Sequence, residues 1–408
     1  MISKKALLVC YSFPPSSGVG GRKWAKLSKY LIRLGWDIQV ICKEPSVNET
    51  SPWINDIKGV KYNYLPSKYP SILNKNPTNI FQKIWYRLCL LFLKTLTHSN
   101  YYDRGVFWEK SLTKLVNEIV EKENISNLII TGAPFSLLYY GAKIKRKNPQ
   151  INFIADIRDS WLDGHYFGFD GLSKTRKEQE IFRLKTVLKE ADTVIVPNET
   201  MLNEYSDLLG LNTKIVHHPH AFDEDLLISR EMRKDQNKFE LVNFGSQYKS
   251  QEIQMKSVAR AMERMDNIRI DFFTNDHKYK SIFESNAVIE SKVQFHALIP
   301  ENGVFEIMHD SNAVLLFVPN HIRDFIATKY MEVIASRVPI VLIGERGLTS
   351  EFVVKNDLGI FIPSDSIETE FVRIQELLLA LNYNDEFDIE PLTFRRQAKI
   401  IEAKLNFS

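Results

Sequence analysis

Between Asn312 and Gly347 two apolar runs of strand length, residues 313–318 and 338–344, flank a short helical segment over residues 328–336. Strands apolar at nearly every position belong to parallel sheets covered on both faces, so this stretch restricts the chain to open α/β architectures. Within the helix, Met331, Ile334 and Ala335 share one face, while Lys329, Glu332 and Ser336 share another. With Thr328 as the predicted N-cap, Lys329 falls in the first turn, where free backbone N–H groups and the helix dipole favour an anion. A cation there with a carboxylate one turn on suits a nucleoside diphosphate, with phosphates at the helix tip and ribose hydroxyls on Glu332. A surface i, i+3 ion pair, worth about 0.3 kcal/mol, has the same spacing, and the residues alone leave both readings open.

The chain opens with the same alternation. A strand over residues 4–11 runs into Ser12-Phe13-Pro14-Pro15-Ser16-Ser17-Gly18-Val19-Gly20-Gly21 and then a helix with Trp24, Leu27, Leu31 and Leu34 at helical spacing. Gly35 is its predicted stop, and residues 38–42 form the next strand. Gly18-x-Gly20-Gly21 departs from the dinucleotide fingerprint, since position 23 is Lys, and no G-K-[ST] follows to make a P-loop. Glycines at such a turn serve packing or an anion, and the neighbouring Arg22 and Lys23 favour the anion.

Further strands are expected at residues 128–130, ending in Thr131-Gly132-Ala133-Pro134, at 151–155, and at 193–196. The second of these empties into Asp156-Ile157-Arg158-Asp159-Ser160-Trp161, at the carboxyl end of a buried strand where open α/β sheets bind ligands. A structural Asp–Arg pair capping the strand fits the same residues. His217-His218-Pro219-His220 lacks metal-ligand spacing and reads as a hinge. After it the pattern restarts, with strands at 240–244, 268–273, 293–295 and 359–363, and a turn Gly245-Ser246-Gln247-Tyr248-Lys249 after the first. Two consecutive α/β halves predict two doubly wound domains facing across a cleft: residues 1–218, joined by a terminal helix over 392–408 that crosses back, and residues 219–391.

The net charge of +3 conceals an asymmetry: residues 1–200 hold 30 Lys and Arg against 18 Asp and Glu, whereas the remainder holds 23 against 32. A basic first half points to an anionic membrane surface or lipid-phosphate substrate there, with solvated charge as the alternative. Residues 79–96 are apolar nearly all round, with Lys83, Arg87 and Lys94 close to one line. The uncharged run from Leu88 to Leu93 is too short to span a bilayer. An interfacial helix, a helix around a greasy acceptor and a plain core helix all fit this pattern. Cys10, Cys42 and Cys89 show no metal spacing and read as reduced core residues. With no visible signal peptide, the chain is expected to be cytoplasmic, the inner face of the membrane being the other candidate location. Nucleic-acid binding is disfavoured because the basic residues are spread over helices without an aromatic platform.

Taken in order, these segments resemble the GT-B glycosyltransferases of family four, retaining enzymes that use nucleotide sugars to build bacterial surface polysaccharides. The resemblance spans nearly the whole chain. It rests on Phe13-Pro14-Pro15 with Gly18, Gly20 and Gly21, on Asp156-Ile157-Arg158-Asp159-Ser160-Trp161, and on Ala191-Asp192-Thr193-Val194-Ile195-Val196-Pro197. It rests also on Phe244-Gly245-Ser246 with Lys249, and on Thr328-Lys329-x-x-Glu332 followed by Pro339-Ile340. It implies two Rossmann-like domains, donor contacts from Gly20, Gly21, Gly245, Ser246, Lys249, Leu298, Ile299, Thr328, Lys329 and Glu332, and acceptor contacts from Arg22, Thr131 and Asp156. Arg158 stands where many relatives carry a histidine, so Arg158 or Asp159 takes over that catalytic role beside Lys329. Asp324 occupies the first position of the family's E-x7-E pattern, and His220-Ala221-Phe222-Asp223 replaces N-G-F-D.

The implied reaction transfers a sugar from a nucleotide-diphosphate sugar, UDP-sugar favoured, to a glycan or lipid-linked saccharide with retention, in capsule, O-antigen or exopolysaccharide synthesis. With no D-x-D motif in a suitable loop, neither metal nor cofactor is expected. The competing readings are a sugar-nucleotide epimerase on the same fold and a non-catalytic nucleotide-sugar-binding subunit.

Overall fold

The computed structural model describes residues 4–16, 19–47, 49–162, 167–210, 214–228, 239–275, 277–284, 286–320, 323–324 and 326–406. Gly18, one of the three glycines of the first turn, lies outside the described residues. The chain forms two compact units, residues 1–219 with 394–408, and residues 220–393.

In the first unit β1 (Lys5–Val9) leads through the Pro14-Pro15 turn to α1 (Arg22–Arg33), followed by β2 (Asp37–Lys43) and β3 (Lys61–Leu65). Then come α2 (Ile80–Leu96), α3 (Glu109–Glu123), β4 (Asn127–Gly132), α4 (Ser136–Lys147) and β5 (Asn152–Ile157). The helix Lys174–Glu190, β6 (Thr193–Val196), the helix Glu199–Leu209 and β7 (Ile215–His217) complete it. The seven strands are all parallel in the order β3-β2-β1-β4-β5-β6-β7. All six residues of β4 and of β5 are buried, as expected of central strands covered by helices on both faces. Gly35 takes φ +89° just past α1, the left-handed position that stops a helix without cost to glycine. The terminal helix Phe394–Glu402 belongs to this unit: Glu402 accepts hydrogen bonds from Trp36 Nε1 and Lys4 Nζ, each at 2.9 Å.

The second unit repeats the plan. It contains β8 (Phe239–Phe244), β9 (Ile268–Phe273), β10 (Val293–His296), β11 (Ala313–Val318), β12 (Ile340–Gly344) and β13 (Gly359–Pro363), parallel in the order β10-β9-β8-β11-β12-β13. In each sheet the winding direction reverses beside the first strand, between β1 and β4 and between β8 and β11. Open α/β sheets bind ligands at such switch points, beyond the carboxyl ends of the strands.

Of the three readings open for residues 79–96, the plain core helix does not hold: in α2 only Cys89 and Leu93 are buried. The segment's mean apolarity does not say which face meets protein. No described helix is long and apolar enough to cross a membrane.

Candidate functional site

The second unit brings two segments more than 80 residues apart in sequence to one switch point. Gly245 follows β8 directly, and the helix Thr328–Ser336 follows β11, the strand paired with β8. Gly245 has φ +95°, and a Cβ built on it meets nothing within 4 Å. Glycine is thus required by the backbone, while the space beside it stays open to a ligand. Ser246 and Lys249 in the same turn are exposed.

The helix tip differs in one detail from expectation. Ala327, not Thr328, is the N-cap, with no side-chain capping bond, so Thr328 and Lys329 occupy the first two helical positions. The first-turn amides are therefore not capped by a side chain, and no acidic residue sits in the first turn. Lys329 is partly exposed and makes no ion pair or hydrogen bond among the described residues. The surrounding protein desolvates the ammonium and pushes its pKa down to about 8. Glu332, one turn further on, is half-buried and already engaged within the protein. Leu298 and Ile299 follow the outer strand β10; Leu298 is exposed, and its backbone N–H donates to Asn275 Oδ1 at 3.2 Å. Asp324 accepts from the Leu348 N–H at 3.1 Å, capping the helix Leu348–Lys355.

Two features here carry no sequence signal. Gln247 is buried, yet neither atom of its side-chain amide has a hydrogen-bond partner among the described residues. Such an amide marks a position where a ligand or water completes the bonding. Phe244, Phe273 and His296, in register on neighbouring strands, stack with centroids 5.1 and 4.7 Å apart. Asp271 holds the outer member, its Oδ1 lying 2.6 Å from His296 Nε2.

In the first unit the carboxyl end of β5, one strand beyond the switch point between β1 and β4, carries the protein's own charges. Asp156, at the end of β5, is fully buried; it accepts from Lys23 Nζ at 2.7 Å and from Trp24 Nε1 at 2.6 Å. Burial works against the carboxylate, but Lys23 and these hydrogen bonds outweigh it and hold the pKa below its ordinary value. Arg158 donates from Nε to Asp159 Oδ2 at 3.0 Å and from Nη1 to the Gly20 carbonyl. Asp159 keeps about a third of its side chain exposed, at 36%. A Cβ at Gly20 would stand 3.3 Å from Arg158 Nη1, and one at Gly21 only 2.6 Å from the Ser12 carbonyl oxygen. Gly21 is therefore explained by close packing against backbone, whereas the neighbour of Gly20 is the end of a side chain. Arg22 and Thr131, like Asp156, lie below the surface, Arg22 with its guanidinium 5.7 Å from the Phe394 ring centroid. Among the described residues no three His, Cys, Asp or Glu side chains gather into a metal-binding group.

No family model matches the chain, and no curated protein sequence matches it. Solved structures do. Anabaena HepE in complex with UDP and glucose is 11% identical with a TM-score of 0.59, covering 98% of each chain. The lipopolysaccharide outer core galactosyltransferase WaaB, in its apo form, is 11% identical with a TM-score of 0.58, over 98% of this chain and 100% of that one. Sucrose-phosphate synthase from Thermosynechococcus elongatus is 11% identical with a TM-score of 0.55, over 99% and 95%. Two parallel-sheet α/β units with seven and six strands, matched end to end by these structures, give the chain the GT-B glycosyltransferase fold.

Proposed function

We propose that the chain is a glycosyltransferase that moves a sugar from a nucleoside-diphosphate sugar, UDP-sugar favoured, to a glycan or lipid-linked saccharide with retention of configuration. The observation that carries this reading is the convergence of the Gly245 turn and the Lys329 helix tip on one switch point. A cation without a partner among the described residues, side-chain-uncapped first-turn amides and an open glycine backbone suit a diphosphate. The HepE structure, which holds UDP and glucose in the same fold, supports it.

In this reading Gly245, Ser246, Lys249, Thr328 and Lys329 hold the diphosphate, Glu332 the ribose, and the backbone at Leu298 and Ile299 the base. The second unit is the donor domain and the first the acceptor domain. Breaking the bond between the anomeric carbon and the phosphate oxygen leaves negative charge on the diphosphate. Lys329 and the helix-tip amides meet that charge in place, without a metal. The acceptor oxygen enters on the face that the diphosphate leaves, and its proton passes to the departing phosphate oxygen. Arg158 and Asp159 orient the sugar and acceptor, while Asp156 acts as a positioning residue through Lys23. Synthesis of a surface polysaccharide by a cytoplasmic enzyme at the inner face of the membrane is the setting that a lipid-linked acceptor implies.

A thermal-shift screen against nucleoside diphosphates and their sugars tests the donor, stabilisation rising with ligand concentration as mass action requires. NMR of the product's anomeric configuration tests the stereochemistry. An inverted product would instead make Asp159 a general base. Conversion of a donor without acceptor would point to an epimerase.

A further inference from the structure

The helix α2 is built the wrong way round for a protein in water. Its inward face is narrow: Cys89 and Leu93 are buried, and Leu90 and Leu93 pack on a small satellite core with Leu73, Tyr69, Tyr101 and Leu172. Its outward face carries Ile80, Phe81, Ile84, Trp85, Leu88, Leu91, Phe92 and Leu96, each between 50 and 79% exposed. At 100° per residue these eight fall within one continuous arc of about 160°. Single exposed apolar residues are ordinary; eight on one helix face are not.

The helix is also firmly seated. Asn79 caps its N-terminus by accepting from the Gln82 N–H at 2.9 Å. At the other end Arg176 donates to the carbonyls of Lys94 and Ser99, each at 2.6 Å. The greasy face is therefore presented by a pinned element.

Charge identifies what covers it. Lys83, Arg87 and Lys94 line one edge of the apolar arc and are exposed. Residues 57–102 hold seven Lys and Arg and not a single Asp or Glu. A second copy of this chain would set these like charges close together, whereas an anionic lipid surface accepts the side chains and pairs the cations with its phosphates.

We propose that α2 docks on an anionic lipid surface, lying in its plane with Phe81, Trp85, Leu88 and Phe92 immersed and Lys83, Arg87 and Lys94 at headgroup level. This deepens the reading of a lipid-linked acceptor, on which it rests, and its evidence lies in α2 and its surroundings, apart from the donor residues.

The test uses the full chain and vesicles of phosphatidylcholine with and without phosphatidylglycerol. The wild type is retained by the anionic vesicles at low salt and released at high salt. Trp85 is the exposed tryptophan of the helix, so its emission shifts to the blue and is quenched by brominated lipid. Reversing Lys83, Arg87 and Lys94 to Glu lowers the partition coefficient more than about tenfold. Phe81→Glu with Phe92→Glu abolishes retention, both side chains being exposed in the free protein. Circular dichroism and stabilisation by UDP are read on the same samples, so loss of lipid binding is separated from misfolding and from failure of the donor reading. Equal retention of wild type and variants would overturn the proposal. So would no retention on any vesicle, or a dimer that the same substitutions break.

Discussion

Lys23 in the first turn of α1 and Asp156 at the carboxyl end of β5 form an ion pair of 2.7 Å inside the first unit, with Asp156 wholly removed from solvent. Asp156 stands one strand beyond the switch point between β1 and β4. It ties α1 to a strand that is not a neighbour of β1, the strand before α1, because β1 pairs with β2 and β4.

Replacing one partner leaves the other charged and buried. Asp156→Asn should destabilise the first unit by about 3–5 kcal/mol, read as a lowered midpoint in urea. The folded-state pKa of Asp156 is depressed, so its contribution is present above the unfolded value of about 3.9 and lost as pH falls through the folded value. The acid limb of the wild-type stability profile should accordingly be flatter in Asp156→Asn.

His218 acts at higher pH and by a different route. Burial pushes its pKa down to about 3, with Lys23 adding to the shift, and its Nε2 lies 3.3 Å from the Gln397 carbonyl oxygen. A folded pKa below the unfolded value of about 6.5 means that the unfolded chain binds the extra proton first. Stability should therefore fall as pH drops from about 6.5 towards 3, and His218→Gln should reduce that slope in chemical denaturation measured across the range.

For Lys329 the ligand, not folding, is the readout. With a free-state pKa near 8, the ammonium is mostly deprotonated above that pH. A bound diphosphate favours the charged form, so UDP binding should take up a proton above about pH 8, and affinity should decline as pH rises through it. Calorimetry in buffers of different ionisation enthalpy measures this uptake. Lys329→Ala should abolish the uptake and lower kcat about 100-fold or more, as for loss of one preorganised stabiliser of transition-state charge. Glu332→Ala should raise the donor KM.

Gly21→Ala puts a methyl group 2.6 Å from the Ser12 carbonyl oxygen, a backbone atom that cannot swing away. A cost of about 1–3 kcal/mol is expected, seen as a lower midpoint with or without UDP. Gly245→Ala meets no neighbour but must adopt φ +95°. Its cost is that of the strained backbone, of order 1–3 kcal/mol, and falls on the donor turn.

The alternation of buried strands and amphipathic helices could be read from the chain because it is local. Burial on both faces imposes runs such as Ala313–Val318, and helix periodicity imposes Trp24, Leu27 and Leu31; the two-unit α/β plan follows from these. The first-turn position of Lys329 was equally legible, since helix phase is set by nearby residues, although its cap is Ala327 and not Thr328. Which groups meet across strands was not legible. Asp156 and Trp24, the stack of Phe244, Phe273 and His296, and the stranded amide of Gln247 depend on register and crossovers between segments far apart in sequence. The same holds for α2. Composition made it apolar, but only packing decided that two residues are buried and eight apolar ones face outward, because hydrophobicity specifies that a side chain leaves water and not what it leaves water for.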